Sequence, residues 1–364
     1  MKHVSVMFKP ASAMCNMKCT YCFYKDVSNH REVPSYGFMS AETMSLVLRN
    51  ICGDLSPGDT FTLGFQGGEP TLIGLGFYEK FVSLAKELTK GISLKWTFQT
   101  NGLIIDDNWC QFFKAHKFLI GLSLDLYGHN TNRLDSMGKG TLNRVLKTKQ
   151  LFDAQRVDYN ILCVLTNQTA RHPDSVWKQI IQWGIRHVQF IPCLDDLDNA
   201  TPVSLTPARF ASFYNALIPL WYAHYKNGKY ISIKWIDDII QLLATGAVHA
   251  CGLTGRCMPQ YIIEADGSCY PCDFYVLDAC RTGNLREGSL QDQLESENMQ
   301  CFLAEKKDAP ERCQHCPFAH LCNGGCKRMK NVMYGNKNDS FCGHQGVLRE
   351  NWDVFATLCR PYRT

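Results

Sequence analysis

Three hundred and sixty-four residues, 45% hydrophobic and 20% charged, are enough for one large core and a smaller second unit, and they exclude a disordered or low-complexity chain. The formal net charge of +4 is small for this length and supplies no general surface for nucleic acid or an anionic membrane. No stretch reaches the ~18 consecutive apolar residues of a membrane span. Residues 1–14 hold no apolar run of secretory length, so the 19 cysteines are expected in a reduced, cytoplasmic compartment with metal clusters as their use.

Strand-like and helix-like stretches alternate through residues 1–195. Short apolar or alternating runs at 4–8, 61–65, 94–98, 118–124, 159–165 and 187–191 predict six strands. Between them, Ser40 offers an N-cap to an apolar-faced helix, and 75–89, 106–115, 141–154 and 173–183 have similar character. Repeated βα units demand a parallel sheet with right-handed crossovers, and six of them suit an open, partial (β/α)6 barrel in the α/β class. The active site is then expected where strands end. The unusual segments fall there: a cysteine loop after the first strand, Gln66-Gly-Gly-Glu-Pro70 after the second, Gln99-Thr-Asn-Gly102 after the third, Ser123 and Asp125 at the fourth, Leu194-Asp195 after the sixth. Residues 196–250 break the rhythm and predict two bridging helices, 207–226 and 233–245, whose Trp221, Tyr222 and Tyr225 are assigned to packing. Residues 251–364 form a cysteine-rich C-terminal domain.

Cys15-Asn-Met-Lys-Cys19-Thr-Tyr-Cys22 spaces three thiols to hold a [4Fe–4S] cubane, leaving one iron open for a cofactor. The plainer alternative is a zinc knuckle short of one ligand. Gly67 and Gly68 let the backbone after the second strand pass close to a ligand, with carbonyls left to accept from an ammonium group; alone, a tight strand-to-helix turn is the favoured reading. In the C-terminal domain, Cys251, Cys257, Cys272, Cys313, Cys316, Cys322, Cys326 and Cys342 are enough for two fully ligated cubanes, or for two zinc sites. Asp273 directly follows Cys272. A carboxylate beside an anionic thiolate-bound cluster is expected to have its pKa raised toward that of a general base, the alternative being a turn cap or a pair with Arg281.

The cysteine triplet with Gly-Gly-Glu-Pro resembles the radical S-adenosylmethionine superfamily, and the later cysteines, with Ala265-Asp-Gly-Ser between hairpin strands, resemble its SPASM extension. That resemblance implies S-adenosylmethionine and three [4Fe–4S] clusters. It implies that Cys15, Cys19 and Cys22 hold the first cluster, Cys251, Cys257, Cys272 and Cys326 the first auxiliary cluster, and Cys313, Cys316, Cys322 and Cys342 the second. It matches Tyr21, Gly68, Ser123, Arg133 and Leu194 to cofactor-contacting positions. One departure stands out: the family's Asp-Gly-Pro after the fourth-strand serine is absent from Ser123-Leu-Asp-Leu-Tyr-Gly128, which leaves the path to Arg133 open.

Pro-Cys-Asp-Phe-Tyr-Val-Leu-Asp at 271–278, Cys-Thr-Tyr-Cys-Phe-Tyr at 19–24 and Phe-Gln-Gly-Gly-Glu-Pro-Thr-Leu at 65–72 resemble the anaerobic sulfatase-maturating enzymes. The implied reaction oxidises a cysteine or serine in an unfolded sulfatase segment of the Cys/Ser-x-Pro-x-Arg type to Cα-formylglycine. In it a 5′-deoxyadenosyl radical takes a Cβ hydrogen, Asp273 takes the thiol or hydroxyl proton, and an auxiliary cluster takes the second electron. Tyr24 and Gln66 are expected near the substrate, and a flavodoxin or ferredoxin is expected as electron donor. Two rivals remain at this stage: a peptide maturase forming thioether or carbon–carbon crosslinks, and a non-catalytic iron–sulfur electron carrier, against which the open-site triplet argues.

Overall fold

The computed structural model describes residues 2–305, 310–335 and 340–360. Its strands in chain order are β1 His3–Phe8, β2 Met17–Cys19, β3 Thr60–Phe65, β4 Ser93–Thr100, β5 Phe118–Ser123, β6 Arg133–Asp135, β7 Tyr159–Leu165, β8 His187–Pro192, β9 Ser232–Ile233, β10 Ile262–Ile263, β11 Ser268–Tyr270 and β12 Gly283–Asn284. All six predicted strands form, and they end within two residues of the expected positions. The chain groups into two compact units, one of residues 1–123, 133–159 and 258–305, the other of 124–132, 160–257 and 306–364.

In the first unit the strands run β12-β11-β10-β1-β3-β4-β5. β1, β3, β4 and β5 are mutually parallel, as βα repeats require. Alternation gives each strand a buried face: Phe8, Phe61, Phe65, Phe98 and Phe118 are almost fully buried. Phe65 meets Tyr78 and Phe81 edge-on at 5.0 and 4.9 Å. Each such ring removed from water contributes about 1.5–3 kcal/mol, so this aromatic core holds the strand ends in place. The helices over it start where capping side chains stand: Ser40 accepts from Thr43 N–H ahead of Ala41–Cys52, and Asp106 accepts from Trp109 N–H ahead of Asp107–Ala115, both at 3.0 Å.

Two features of this unit lack any period in the sequence. β10 pairs in parallel with β1, Phe8 opposite Ile263, and turns through Ala265–Gly267 into β11. β2 pairs antiparallel with β6, setting Cys19 opposite Arg133.

In the second unit β7, β8 and β9 are parallel neighbours, and the expected bridging helices appear as Pro207–Lys226 and Lys234–Thr245. Pro207 occupies the first helical position behind the Thr206 cap, and Gly246 at φ 71° ends the second helix. Trp221 is 1% exposed and donates to Ile231 O, which is a packing role, whereas Tyr225 is half open to solvent. Among the described residues no helix is long and apolar enough to cross a membrane.

Candidate active site and cluster cradles

The cysteine loop leaves β1 and re-enters regular structure at β2. Cys22 then stands at the N-cap of Phe23–Asn29. Burial first, with the nearby charges of Glu69, Cys19 and Cys22, pushes the Cys15 thiol up to about 12 against a hydrogen bond from Met17 N–H. Such thiols give up protons to iron, so ligand binding and proton release are coupled.

Gly67 and Gly68 have φ of +100° and +54°. A Cβ on Gly68 would lie 2.1 Å from Met14 O, so the second glycine is required by the backbone leading into Cys15. Glu69 N–H donates to that same carbonyl at 2.8 Å. The Glu69 carboxylate is 1% exposed and accepts from Thr71 N–H and Oγ1, Thr100 Oγ1 and Asn101 N–H. Burial raises its pKa and these hydrogen bonds oppose the rise. Asn101 also donates to Asn16 Oδ1 at 2.7 Å, tying the end of β4 to the cysteine loop. The polar residues at this strand end were visible in the sequence, but not their role.

The chain reaches Arg133 by a helical turn and the short ribbon. His129–Asn132 makes one helical turn, Arg133 opens β6, and its guanidinium lies 5.5 Å from the Tyr21 ring centroid. Ser123 ends β5 and is 7% exposed. Tyr21, Gly68, Ser123 and Arg133 thus share the first unit with the cysteine triplet. Leu194 follows β8 in the second unit, where its carbonyl accepts from Ser204 Oγ at 3.1 Å.

Asp273 opens a 3₁₀ turn after β11. Its partner is a residue that sequence reasoning passed over: Lys9 Nζ, fully buried at the end of β1, lies 2.5 Å from Asp273 Oδ1. Neither atom meets hydrogen-bond geometry, so this is a contact of charges more than a directed hydrogen bond. Gln66 Nε2 donates to Oδ2 at 2.6 Å. The alternative in which Asp273 pairs with Arg281 is therefore corrected. Arg281 Nε donates instead to Gly283 O at 3.4 Å. Lys9 also lies 3.7 Å over the Tyr24 ring. The Tyr24 hydroxyl donates to the Glu264 carboxylate, which takes Arg31 Nη1 at 2.7 Å. Burial, then Glu264, raises the Tyr24 phenol far above its ordinary range and keeps it a donor. A charged residue at the C-terminal end of a buried strand was the signal for both Lys9 and Glu264.

Cys272 belongs to the first unit; Cys251, Cys257 and Cys326 belong to the second. Within the second unit, Cys313, Cys316, Cys322 and Cys342 line one cavity, closed by Arg312, Phe318, Tyr334 and His344. Burial pushes Cys322 up to about 11 and raises Cys342, whose Sγ accepts from Gln345 N–H at 3.5 Å. The Tyr334 hydroxyl donates to Gly252 O at 2.7 Å, and Arg312 Nη2 holds the Tyr334 and Gly335 carbonyls. Among the described residues, no three His, Cys, Asp or Glu side chains converge as ligands of a single metal ion do. Thiols standing around a cavity suit a polynuclear cluster better than a zinc ion.

The comparisons agree with this chemistry. Residues 10–176 match the radical SAM superfamily and residues 255–317 an iron–sulfur cluster-binding domain, SPASM. A cysteine-type anaerobic sulfatase-maturating enzyme of Clostridium novyi is 37% identical over 94% of this chain and 93% of its own. A serine-type enzyme of Klebsiella aerogenes is 29% identical over 98% of this chain and 86% of its own. The solved structure of native anSMEcpe with bound AdoMet superposes with a TM-score of 0.90 at 35% identity, covering 98% of this chain and 99% of that one. The expected fold class, a radical S-adenosylmethionine α/β sheet with an iron–sulfur extension, is the one found. With its cysteine triplet, its glycine turn and its four-thiol cavity set in that fold, the chain belongs to the anaerobic sulfatase-maturating enzymes of the radical S-adenosylmethionine superfamily.

Proposed function

We propose that this chain oxidises a cysteine of a sulfatase polypeptide, presented as an unfolded Cys-x-Pro-x-Arg segment, to Cα-formylglycine. The observation that carries the reading is the Asp273 carboxylate, oriented by Lys9 at 2.5 Å and Gln66 at 2.6 Å in the unit that also holds the cysteine triplet. S-adenosylmethionine bound at the first cluster supplies a hydrogen-abstracting radical. Tyr21, Gly68, Ser123 and Arg133 orient that cofactor, with Leu194 at its adenine.

The target Cβ gives up one hydrogen atom and its thiol proton passes to Asp273; Cys251, Cys257, Cys272 and Cys326, with Cys313, Cys316, Cys322 and Cys342, would hold the auxiliary clusters that would accept the remaining electron. Water then replaces the sulfur, which departs as hydrogen sulfide. Gln66 fixes one carboxylate oxygen and Lys9 the other, so the proton acceptor cannot rotate away from the peptide. Higher identity to the cysteine-type relatives favours a thiol target. A flavodoxin or ferredoxin in a reducing cytoplasm supplies the electron that begins each turnover.

Anaerobically reconstituted protein incubated with a Cys-x-Pro-x-Arg peptide and its serine counterpart provides the test. Mass spectrometry is expected to find formylglycine chiefly in the cysteine peptide. A crosslinked peptide, or deoxyadenosine with an unchanged peptide, would overturn the proposal.

A further inference from the structure

His344 follows Cys342 by two residues, in the first turn of the Gly343–Glu350 helix, and is 1% exposed. It lines the same cavity as Cys313, Cys316, Cys322 and Cys342. Among the described residues, neither Nδ1 nor Nε2 has a hydrogen-bond partner. Its other neighbours are rings: Tyr334 at 5.4 Å between centroids, and Trp235 edge-on at 5.8 Å. An imidazole carries an N–H in either tautomer. Buried donors nearly always find an acceptor, because leaving one unmet loses a full solvation shell for nothing.

The wall that His344 shares with the four cysteines offers sulfur. We infer that His344 donates an N–H hydrogen bond to a sulfur of the second auxiliary cluster, thiolate or bridging sulfide, and so sets that cluster's reduction potential. Reduction adds negative charge to the cluster, and a fixed N–H aimed at its sulfur favours the more negative state. The hydrogen bond therefore raises the potential and makes this cluster a better electron acceptor. His344 is a positioning residue for electron transfer, whichever peptide the enzyme oxidises. The inference rests on the assignment of these four cysteines to a [4Fe–4S] cluster, not on the identity of the target.

The test uses the full chain, reconstituted anaerobically, with iron counted and the clusters titrated by EPR-monitored reduction. In His344→Phe, one of the cluster transitions is expected to move to a more negative potential, about tenfold in its one-electron equilibrium constant, or about 59 mV. The others are expected to stay in place. His344→Gln, which keeps an N–H donor, is expected to recover most of the shift. Full iron with every transition at its wild-type position overturns the inference, as does an equal shift in the Phe and Gln variants. Zinc in place of iron in the wild-type cavity overturns it as well. Should His344→Phe fail to load its cluster, wild-type protein carrying ¹⁵N-labelled histidine decides the matter. A histidine nitrogen coupled to that reduced cluster in pulsed EPR supports the inference, and no such coupling overturns it.

Discussion

Lys9 and Asp273 form a pair whose side chains are 0% and 10% exposed, and removing one charge leaves the other buried without its counter-charge. Losing one member of a buried pair costs about 3–5 kcal/mol, so Lys9→Met is expected to lower the thermal midpoint markedly; an unchanged midpoint would show the pair to be dispensable. Asp273→Asn keeps the size and the Gln66 contact but removes the proton acceptor. Deoxyadenosine production should then continue while formylglycine falls by orders of magnitude; equal loss of both would mark Asp273 as structural. Gly68→Ala is a different kind of lesion. Its Cβ would meet a backbone carbonyl at 2.1 Å with φ at +54°, so the loop into Cys15 must move. We expect a strain of about 1–3 kcal/mol and, in an iron assay, loss of the first cluster with the four-thiol cavity still loaded. Asp273 was legible in the sequence because it adjoins a cysteine of the C-terminal series. Lys9 was not, because Phe8-Lys9-Pro10 reads as the polar end of a strand until a second strand is laid beside it.

The elements with a period were the legible ones. β1, β3, β4, β5, β7 and β8 announce themselves by apolar runs, and the helices between them by caps such as Ser40, whose hydroxyl accepts from Thr43 N–H. Ser40→Ala is expected to cost about 1 kcal/mol of helix stability, read as several-fold faster hydrogen exchange in the first turn of Ala41–Cys52; unchanged exchange would make the cap redundant. Elements of two or three residues carry no such signal. The β2–β6 ribbon was invisible for that reason, yet its register sets Cys19 opposite Arg133. β10 was legible only as half of a hairpin, while its parallel pairing with β1 depends on a partner far away in the chain.

At the scale of the molecule, the cysteine spacing translates into a stoichiometry. Three cubanes give about twelve irons per chain, and the triple Cys15, Cys19 and Cys22→Ala variant should retain about eight while forming no deoxyadenosine. Four irons with bound zinc, or cofactor cleavage by that variant, would refute the assignment. The grouping of residues 258–305 with 1–123 was beyond composition and periodicity, because it arises from strand pairing across the length of the chain.

That pairing has a consequence for biosynthesis. Arg31 and Glu264 are 233 residues apart in the chain, and Lys9 and Asp273 further still. At ~5–20 residues per second a ribosome needs roughly ten to fifty seconds between such partners. During that interval the emerging βα units carry two cations destined for a buried strand end, with no carboxylates yet made to meet them. The nascent chain therefore cannot bury these two cations against their carboxylates early, and that step waits on the last third of translation.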